Sequence, residues 1–184
     1  MPPRIVMQSA DISRALRRIS HEILESNRGS DGLLLLGIPT RGVPLARRIA
    51  SVISGIEPGF DATASCGALD VTMYRDDLAR GRTRTPSPTR VPGDVDGTTV
   101  VLVDDVLYSG RTVRAALDAL SDLGRPRVVR LAVLVDRGHR ELPIRADFVG
   151  KNLPSAVHER INVHLDELDG DEFVAIDDAP EAEN

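Results

Sequence analysis

Residues 100–112 read VVLVDDVLYSGRT, and this stretch decides the fold of the 184-residue chain. Its first four residues are an apolar, mostly β-branched run, which is typical of a strand buried on both faces. The carboxylates of Asp104 and Asp105 follow, and then a short loop of small and hydroxyl residues. Residues 113–120 continue with helical periodicity. The stretch therefore predicts a strand, a loop and a helix of an α/β fold.

The predicted loop has the features of an anion-binding site. At a helix N-terminus, backbone N–H groups point outward and the helix dipole favours negative charge. Ser109 and Thr112 would add hydroxyl donors, and Gly110 lets the backbone approach a phosphate without a Cβ in the way.

Asp104 and Asp105 have the wrong charge to bind phosphate themselves. Carboxylates suit the hydroxyls of a polyol, or a divalent cation that also carries phosphates. The order of strand, acidic pair and loop therefore describes a sugar phosphate. A surface acidic pair at the end of an ordinary strand is the alternative. The stretch is not a Walker loop, and the chain has no G-x-G-x-x-G motif.

The composition is that of one globular domain with 41% hydrophobic and 28% charged residues. No run is long and apolar enough for a membrane span, and a single cysteine, Cys66, excludes an internal disulfide; we expect a cytoplasmic protein without membrane contact. Residues 165–184 hold nine of the 28 acidic residues and no Lys or Arg. The net charge of −5 therefore does not exclude a basic face for nucleic acid.

The N-terminal part predicts a short strand at residues 5–7 and a helix from Ser9 or Asp11 to about Ser26. The side of the helix opposite its apolar stripe is more basic than solubility requires, although a merely solvated face is the alternative. Its basic residues are Arg14, Arg17, Arg18 and His21.

A second strand–loop–helix junction comes earlier in the chain. Residues 33–38 predict a buried strand and residues 43–54 a helix, with Thr40, Arg41 and Gly42 in the turn between them. By its residues alone this turn is a modest candidate for an anion site.

The remaining segments predict a lid and a small appendage. Residues 69–74 alternate as a half-buried strand would, and residues 75–97 form a long arginine-rich loop. Residues 126–135 predict another buried strand. The short alternating pieces at 144–149, 160–165 and 173–176 indicate a β-rich appendage. We expect one domain over 1–184, with a core at about 30–137, a lid at about 75–97 and a hood at about 140–184 that also uses the N-terminal segment.

Residues 100–112 resemble the PRPP-binding motif of the type I phosphoribosyltransferases over its full length. The resemblance implies that family's fold, a mostly parallel central sheet flanked by helices with a small hood. It also implies that Asp104 and Asp105 hold the ribose hydroxyls of PRPP and its Mg²⁺, and that the turn with Thr40, Arg41 and Gly42 receives the pyrophosphate. The residues implied for PRPP or nucleotide binding along the main motif are Asp104, Asp105, Val106, Leu107, Tyr108, Ser109, Gly110, Arg111 and Thr112.

Residues 69–78, 136–147 and 149–154 narrow the resemblance to the pyrimidine operon attenuation proteins of that family. This implies a uracil phosphoribosyltransferase, forming UMP and diphosphate, that also binds pyrimidine-operon mRNA when UMP or UTP is bound. Asp104, Asp105 and Arg41 would carry catalysis by positioning and electrostatics, and Arg137 and the backbone near Ile161 would lie against uracil. The family forms dimers, and the residues implied for RNA binding are Arg14, Arg17, Arg18, His21, His139, Arg140, Arg145 and Lys151.

Two alternatives remain open at this point. The protein could be a uracil salvage enzyme whose basic helix is merely solvated. A purine salvage enzyme would share the PRPP motif, but it would leave the hood and the basic segments unexplained.

Overall fold

The computed structural model describes residues 3–76 and 85–178, and it contains two sheets. The central sheet has five parallel strands in the order β3-β2-β4-β5-β6, and the second has three antiparallel strands in the order β1-β8-β7. The elements are β1 (Arg4–Gln8), α1 (Ser9–Asn27), β2 (Leu33–Gly37), α2 (Gly42–Ile56), β3 (Cys66–Ala68), β4 (Thr99–Leu107), α3 (Arg111–Leu123), β5 (Val128–Asp136), β6 (Phe148–Asn152), β7 (Glu159–His164), α4 (Asp166–Asp169) and β8 (Phe173–Asp178). The predicted α/β fold with a mostly parallel sheet is confirmed.

Helices cover both faces of the central sheet because its strands are apolar on both sides. Along β4, Val101 and Val103 pack in one core with α1 and α2, whereas Val100 and Leu102 pack in another with α3. The neighbouring strand β2 divides its leucines in the same way. This two-sided burial aligns β2 and β4 side by side, so that the loops after them meet at one edge of the sheet.

The antiparallel sheet joins the two ends of the chain. β1 pairs with β8, which pairs with β7, so the N-terminal segment is part of this antiparallel sheet. Helix α1 then begins with a capping box between Gln8 and Asp11.

The strand that the sequence predicted in the appendage at residues 144–149 is not found there. β6 begins at Phe148 and pairs in parallel with β5, so it is the edge strand of the central sheet.

The strand predicted at residues 69–74 is wrong. β3 ends at Ala68, and Thr72–Tyr74 form a 3₁₀ turn. The Asp70 carboxylate accepts hydrogen bonds from the N–H and the hydroxyl of Thr72, which closes a local turn that competes with a strand. Leu69 and Val71 are buried, but Met73 is 75% exposed and Thr72 is buried, so the predicted alternation of burial ends at Val71.

The predicted lid at 75–97 is described only in part. Residues 77–84, with Arg80, Arg82 and Arg84 of its basic side chains, lie outside the described residues. In the described C-terminal part of this segment, Arg90 forms an isolated antiparallel bridge with Ala68, the last residue of β3.

Candidate active site

The loop after β4 crosses from the central sheet to the N-terminus of α3. Gly110 has a φ of +91°, a conformation that side chains with a Cβ rarely adopt, and helix α3 begins at the next residue. The N–H of Arg111 donates to the hydroxyl of Ser109, and the carbonyl of Ser109 accepts from Glu141 and Leu142. The predicted anion-binding loop is therefore held between a helix N-terminus and the segment after β5.

The acidic pair lies inside β4 and not beyond its end, because the strand continues to Leu107. Asp104 is only 8% exposed, and Asp105 is half-buried. One carboxylate oxygen of Asp104 accepts the N–H of Asp105, and one of Asp105 accepts the N–H of Val106. Each carboxylate is therefore held by the backbone N–H of the next residue.

The loop after β2 lies against the same edge. The N–H of Ile38 donates to the carbonyl of Val103, just before the acidic pair. A Cβ on Gly42 would lie 2.3 Å from that same carbonyl oxygen, so only glycine lets α2 begin so close to β4. Gly37 is equally confined, because a Cβ on this residue would lie 2.4 Å from the carbonyl oxygen of Gly42.

The two loops share one cavity. It is lined by Thr40 and Arg41 from the loop after β2, by Asp104 and Asp105 of β4 and by Thr112 in the first turn of α3, together with Ile38 and Pro39. A neighbouring cavity shares Thr40 and extends to Asp70, Thr72 and Arg75. The structure thus brings Thr40 and Arg41 of one predicted anion site and Thr112 of the other to the same cavity as the acidic pair.

The base of the predicted lid contacts the predicted anion-binding loop after β4. A guanidinium N–H of Arg75 donates to the hydroxyl of Thr112 over 3.0 Å. Asp76 pairs with Arg111, which pairs also with Glu141, at 2.7 and 2.6 Å. The Glu141 hydrogen bond and the charge of Asp76 raise the pKa of Arg111 above its ordinary value. Arg111 therefore faces two carboxylates.

Arg137 is 7% exposed and directly follows β5. One of its terminal nitrogens donates to the carbonyl of Ala156, whereas its buried Nε has no hydrogen-bond partner. Ser155, the residue before Ala156, has a buried hydroxyl that is likewise unpartnered. Ile161 is the other residue implied for uracil. Its side chain is buried in the core, and its backbone lies opposite Ile176 where β7 pairs with β8.

The predicted RNA-binding residues fall into two places. Arg14, Arg17 and His21 are exposed on α1, where Arg18 donates to the carbonyls of Val149 and Gly150 of β6. Lys151 on β6 donates to the carbonyl of Val6. The backbone N–H of Gln8 is the main cause of the lowered pKa of Asp11 at the start of α1, and the charge of Lys151 also lowers it. The structure therefore places Lys151 next to the basic side of α1.

His139, Arg140 and Arg145 lie in the segment after β5. His139 bonds to the carbonyl of Ser155, and Arg145 is exposed. Arg140 donates to the carbonyls of Tyr108 and Ile144 and pairs with Asp136. Arg140 thus supports the predicted anion-binding loop after β4, a structural role that its sequence position did not indicate.

The fold and the site together define a phosphoribosyltransferase. The family model described as "Phosphoribosyl transferase domain" matches residues 6–178, and the chain belongs to that family. Within it, the chain belongs to the group named bifunctional protein PyrR.

Two relatives with that name illustrate the match. The bifunctional protein PyrR of Leifsonia xyli subsp. xyli is 73% identical over 97% of this chain and 98% of its own length. The one of Streptomyces coelicolor is 57% identical over 97% of this chain and 92% of its own.

Solved structures show the same fold at low identity. The hypoxanthine phosphoribosyltransferase of Trypanosoma cruzi superposes with a TM-score of 0.71 at 17% identity, covering 94% of this chain and 90% of that one. A hypoxanthine-guanine phosphoribosyltransferase of Bacillus anthracis gives 0.68 at 15% identity, covering 94% and 96%. In the described part of the chain, no helix is long and apolar enough to cross a membrane.

Proposed function

We propose that this protein transfers the phosphoribosyl group of PRPP to uracil, giving UMP and diphosphate, and that it also regulates pyrimidine genes by binding their mRNA. The observation that carries the catalytic proposal is the shared cavity, which is lined by the hydroxyls of Thr40 and Thr112, the guanidinium of Arg41 and two carboxylates. A substrate that carries both phosphates and sugar hydroxyls matches that set of groups.

Each part of the cavity has a role in this proposal. The loop of residues 107–112 holds the 5′-phosphate at the N-terminus of α3. Asp104 and Asp105 accept hydrogen bonds from the ribose hydroxyls. Thr40 and Arg41, with Gly42 at the start of α2, hold the leaving pyrophosphate, where charge develops as the bond to the ribose C1 breaks.

The reaction needs no nucleophile from the protein. A ring nitrogen of uracil forms the new bond to C1, the electron pair of the broken bond leaves with diphosphate, and the proton of that nitrogen is released. Catalysis then comes from positioning and from complementary charge, which are effects that a preorganised cavity supplies.

We propose Mg²⁺ as the cofactor and that it arrives with PRPP. Within residues 3–76 and 85–178, no three His, Cys, Asp or Glu side chains lie close enough together to hold a metal ion by themselves. Mg²⁺ commonly uses one or two carboxylates and completes its shell with substrate oxygens and water, and the pair Asp104 and Asp105 fits that donor set. When bound, the ion neutralises charge on the pyrophosphate.

We place uracil beside Arg137 and the backbone near Ile161. The support is the buried side chain of Arg137. One of its terminal nitrogens donates to the carbonyl of Ala156, and its Nε has no hydrogen-bond partner. Leaving such a donor unpaired is costly, and a carbonyl oxygen of the pyrimidine would satisfy it.

The regulatory proposal rests on the word "bifunctional" in the names of the relatives and on the basic side of α1. We propose that Arg14, Arg17, Arg18 and His21, together with Lys151, contact a pyrimidine-operon mRNA, with His139, Arg140 and Arg145 as further members. UMP or UTP in the PRPP site would promote this binding. We propose a homodimer as the binding form.

Two measurements test these proposals. The first is UMP formation from uracil and PRPP with Mg²⁺, with hypoxanthine and guanine as competing bases. Transfer to a purine in place of uracil would contradict the substrate assignment.

The second measurement is the affinity of the protein for the leader RNA of its own pyrimidine genes across a salt series, with and without UMP. Tighter binding with UMP supports the regulator. Transfer to uracil without specific RNA binding would identify the alternative, a salvage phosphoribosyltransferase with no RNA-binding role.

A further inference from the structure

The acidic segment near the C-terminus contacts α2, the helix that begins in the pyrophosphate loop. The guanidinium of Arg41 donates from Nη2 to Oδ1 of Asp169 over 2.8 Å. Two helical turns further along, Arg48 donates to both carboxylate oxygens of Glu167 at 2.8 and 2.6 Å, and it also pairs with Glu172. Helix α4 is thus joined to one face of α2 by two separate arginine–carboxylate contacts.

The two contacts differ in what the arginine does elsewhere. Arg41 lines the shared cavity, whereas Arg48 is not among the residues that line it. The pair of Arg41 and Asp169 is also well enclosed, with side chains 33% and 19% exposed. Only the contact with Asp169 therefore acts on a group of the cavity.

Asp169 is itself held in place. Its second oxygen, Oδ2, accepts the N–H of Leu165 over 2.9 Å, at the start of α4. Burial of this carboxyl disfavours its charged form, but the Leu165 N–H and the charge of Arg41 outweigh burial, and the pKa of Asp169 lies below its ordinary value. The carboxylate is therefore charged at neutral pH and bridges a fixed backbone group and the guanidinium.

We infer that Asp169 is a positioning residue that holds the Arg41 guanidinium in the orientation in which it receives pyrophosphate. An arginine side chain has several rotatable bonds, and the entropy of ordering it would otherwise be lost when the anion binds. One donor, Nη2, is used by Asp169. A guanidinium has five N–H donors, so Arg41 retains donor capacity for a second acceptor.

This inference rests on the proposed PRPP site and predicts a selective kinetic effect. Asp169→Asn removes the charge that orients Arg41 and should raise the KM for PRPP about tenfold, which is the factor expected for one charged hydrogen bond. Because Arg41 also faces the charge that develops on the leaving pyrophosphate, kcat should fall as well. The KM for the base should stay within about twofold. Asp169→Glu keeps the charge and should recover part of the loss.

Glu167→Gln is the matched control, because it weakens the other contact between α4 and α2 without touching Arg41. It should lower the melting temperature about as much as Asp169→Asn but leave the KM for PRPP unchanged. Equal effects of both variants on this KM would show that α4 acts only by stabilising the fold. No effect of Asp169→Asn would also overturn the inference.

Calorimetric titration of each variant with PRPP and Mg²⁺ separates this inference from the proposed function. If the wild-type protein binds PRPP but transfers it to no base, the proposed activity fails, and the affinities of the two variants still decide the role of Asp169. If the wild-type protein does not bind PRPP, both proposals are wrong.

Discussion

The guanidinium of Arg137 lies over the ring of Tyr108, with its central carbon 4.3 Å from the ring centroid. Arg137 follows β5, and Tyr108 belongs to the loop between β4 and α3, which is the loop proposed to hold the 5′-phosphate. The contact therefore links the place proposed for uracil to the place proposed for the 5′-phosphate. Cation–π contacts of partly desolvated pairs contribute about 0.5–2 kcal/mol.

This contact predicts that the ring of Tyr108, and not its hydroxyl, supports uracil binding. Tyr108→Leu should raise the KM for uracil by about three- to tenfold, because Arg137 loses the surface on which it lies. Tyr108→Phe keeps the ring and should behave like the wild type. Steady-state kinetics with uracil as the varied substrate distinguishes the two, and a similar loss in both variants would assign the effect to the hydroxyl.

Asp105→Asn should abolish transfer without unfolding the protein. The amide oxygen of asparagine can still accept the N–H of Val106, so the local backbone keeps its hydrogen bond. The negative charge proposed to face ribose and Mg²⁺ is lost. UMP formation should fall by at least about a hundredfold, in line with the loss of one well-placed electrostatic group, and the melting temperature should change little. Full activity would refute the ribose role.

Glycines 42 and 55 lie in the same helix and predict opposite outcomes when replaced by alanine. A Cβ on Gly42 meets the Val103 carbonyl oxygen at 2.3 Å, whereas a Cβ on Gly55 meets nothing within 4 Å. Gly42→Ala should destabilise the protein by about 1–3 kcal/mol and weaken PRPP binding, because the pyrophosphate loop must move away from β4. Gly55→Ala should be neutral or stabilise by up to about 1 kcal/mol. Urea unfolding of both variants measures the difference.

How much the sequence could predict depends on whether the determining contacts are local. The run of residues 100–112 carries its own strand, glycine turn and helix start, so its structure could be derived from neighbouring residues. The prediction of a strand at residues 69–74 was wrong because the carboxylate of Asp70 accepts a hydrogen bond from Thr72 and closes a turn. An alternating pattern of apolar residues does not by itself show that a segment pairs with a neighbouring strand.

Contacts between distant parts of the chain could not be derived in this way. Arg41 and Asp169 are separated by 128 residues, and neither carries a local signal of the other. The same holds for Arg140, which the resemblance assigned to RNA binding and which donates to the carbonyl of Tyr108. Side-chain charge in a sequence predicts the sign of a partner, and only the fold shows where that partner lies.

The contact of α4 with α2 predicts a loss of stability in acid. The hydrogen bond from Arg48 lowers the pKa of Glu167, so the folded state favours the charged form of this carboxyl. The stabilisation is complete above the ordinary pKa of 4.5 and is lost as the pH falls through the lowered value of the folded state. Melting temperatures between about pH 3 and pH 7 should therefore converge for the wild type and Glu167→Gln at the acid end. A constant difference across that range would show that the charge of Glu167 does not matter.

The basic side of α1 predicts a salt-dependent loss of RNA binding that leaves catalysis intact. Arg17 is exposed on α1, so Arg17→Glu changes charge without removing a buried contact. Affinity for the leader RNA should fall at least about tenfold at moderate salt, and the dependence of affinity on salt should weaken by about one counterion or more, since a phosphate contact is lost.

Arg47→Glu makes the same charge change on an exposed position of α2 and serves as the control. Arg140→Glu is unsuitable as the main test, because it would also disturb the phosphate loop through Tyr108. If Arg17→Glu and Arg47→Glu bind RNA equally well, the basic side of α1 is a solvated surface, and the RNA must bind elsewhere or not at all.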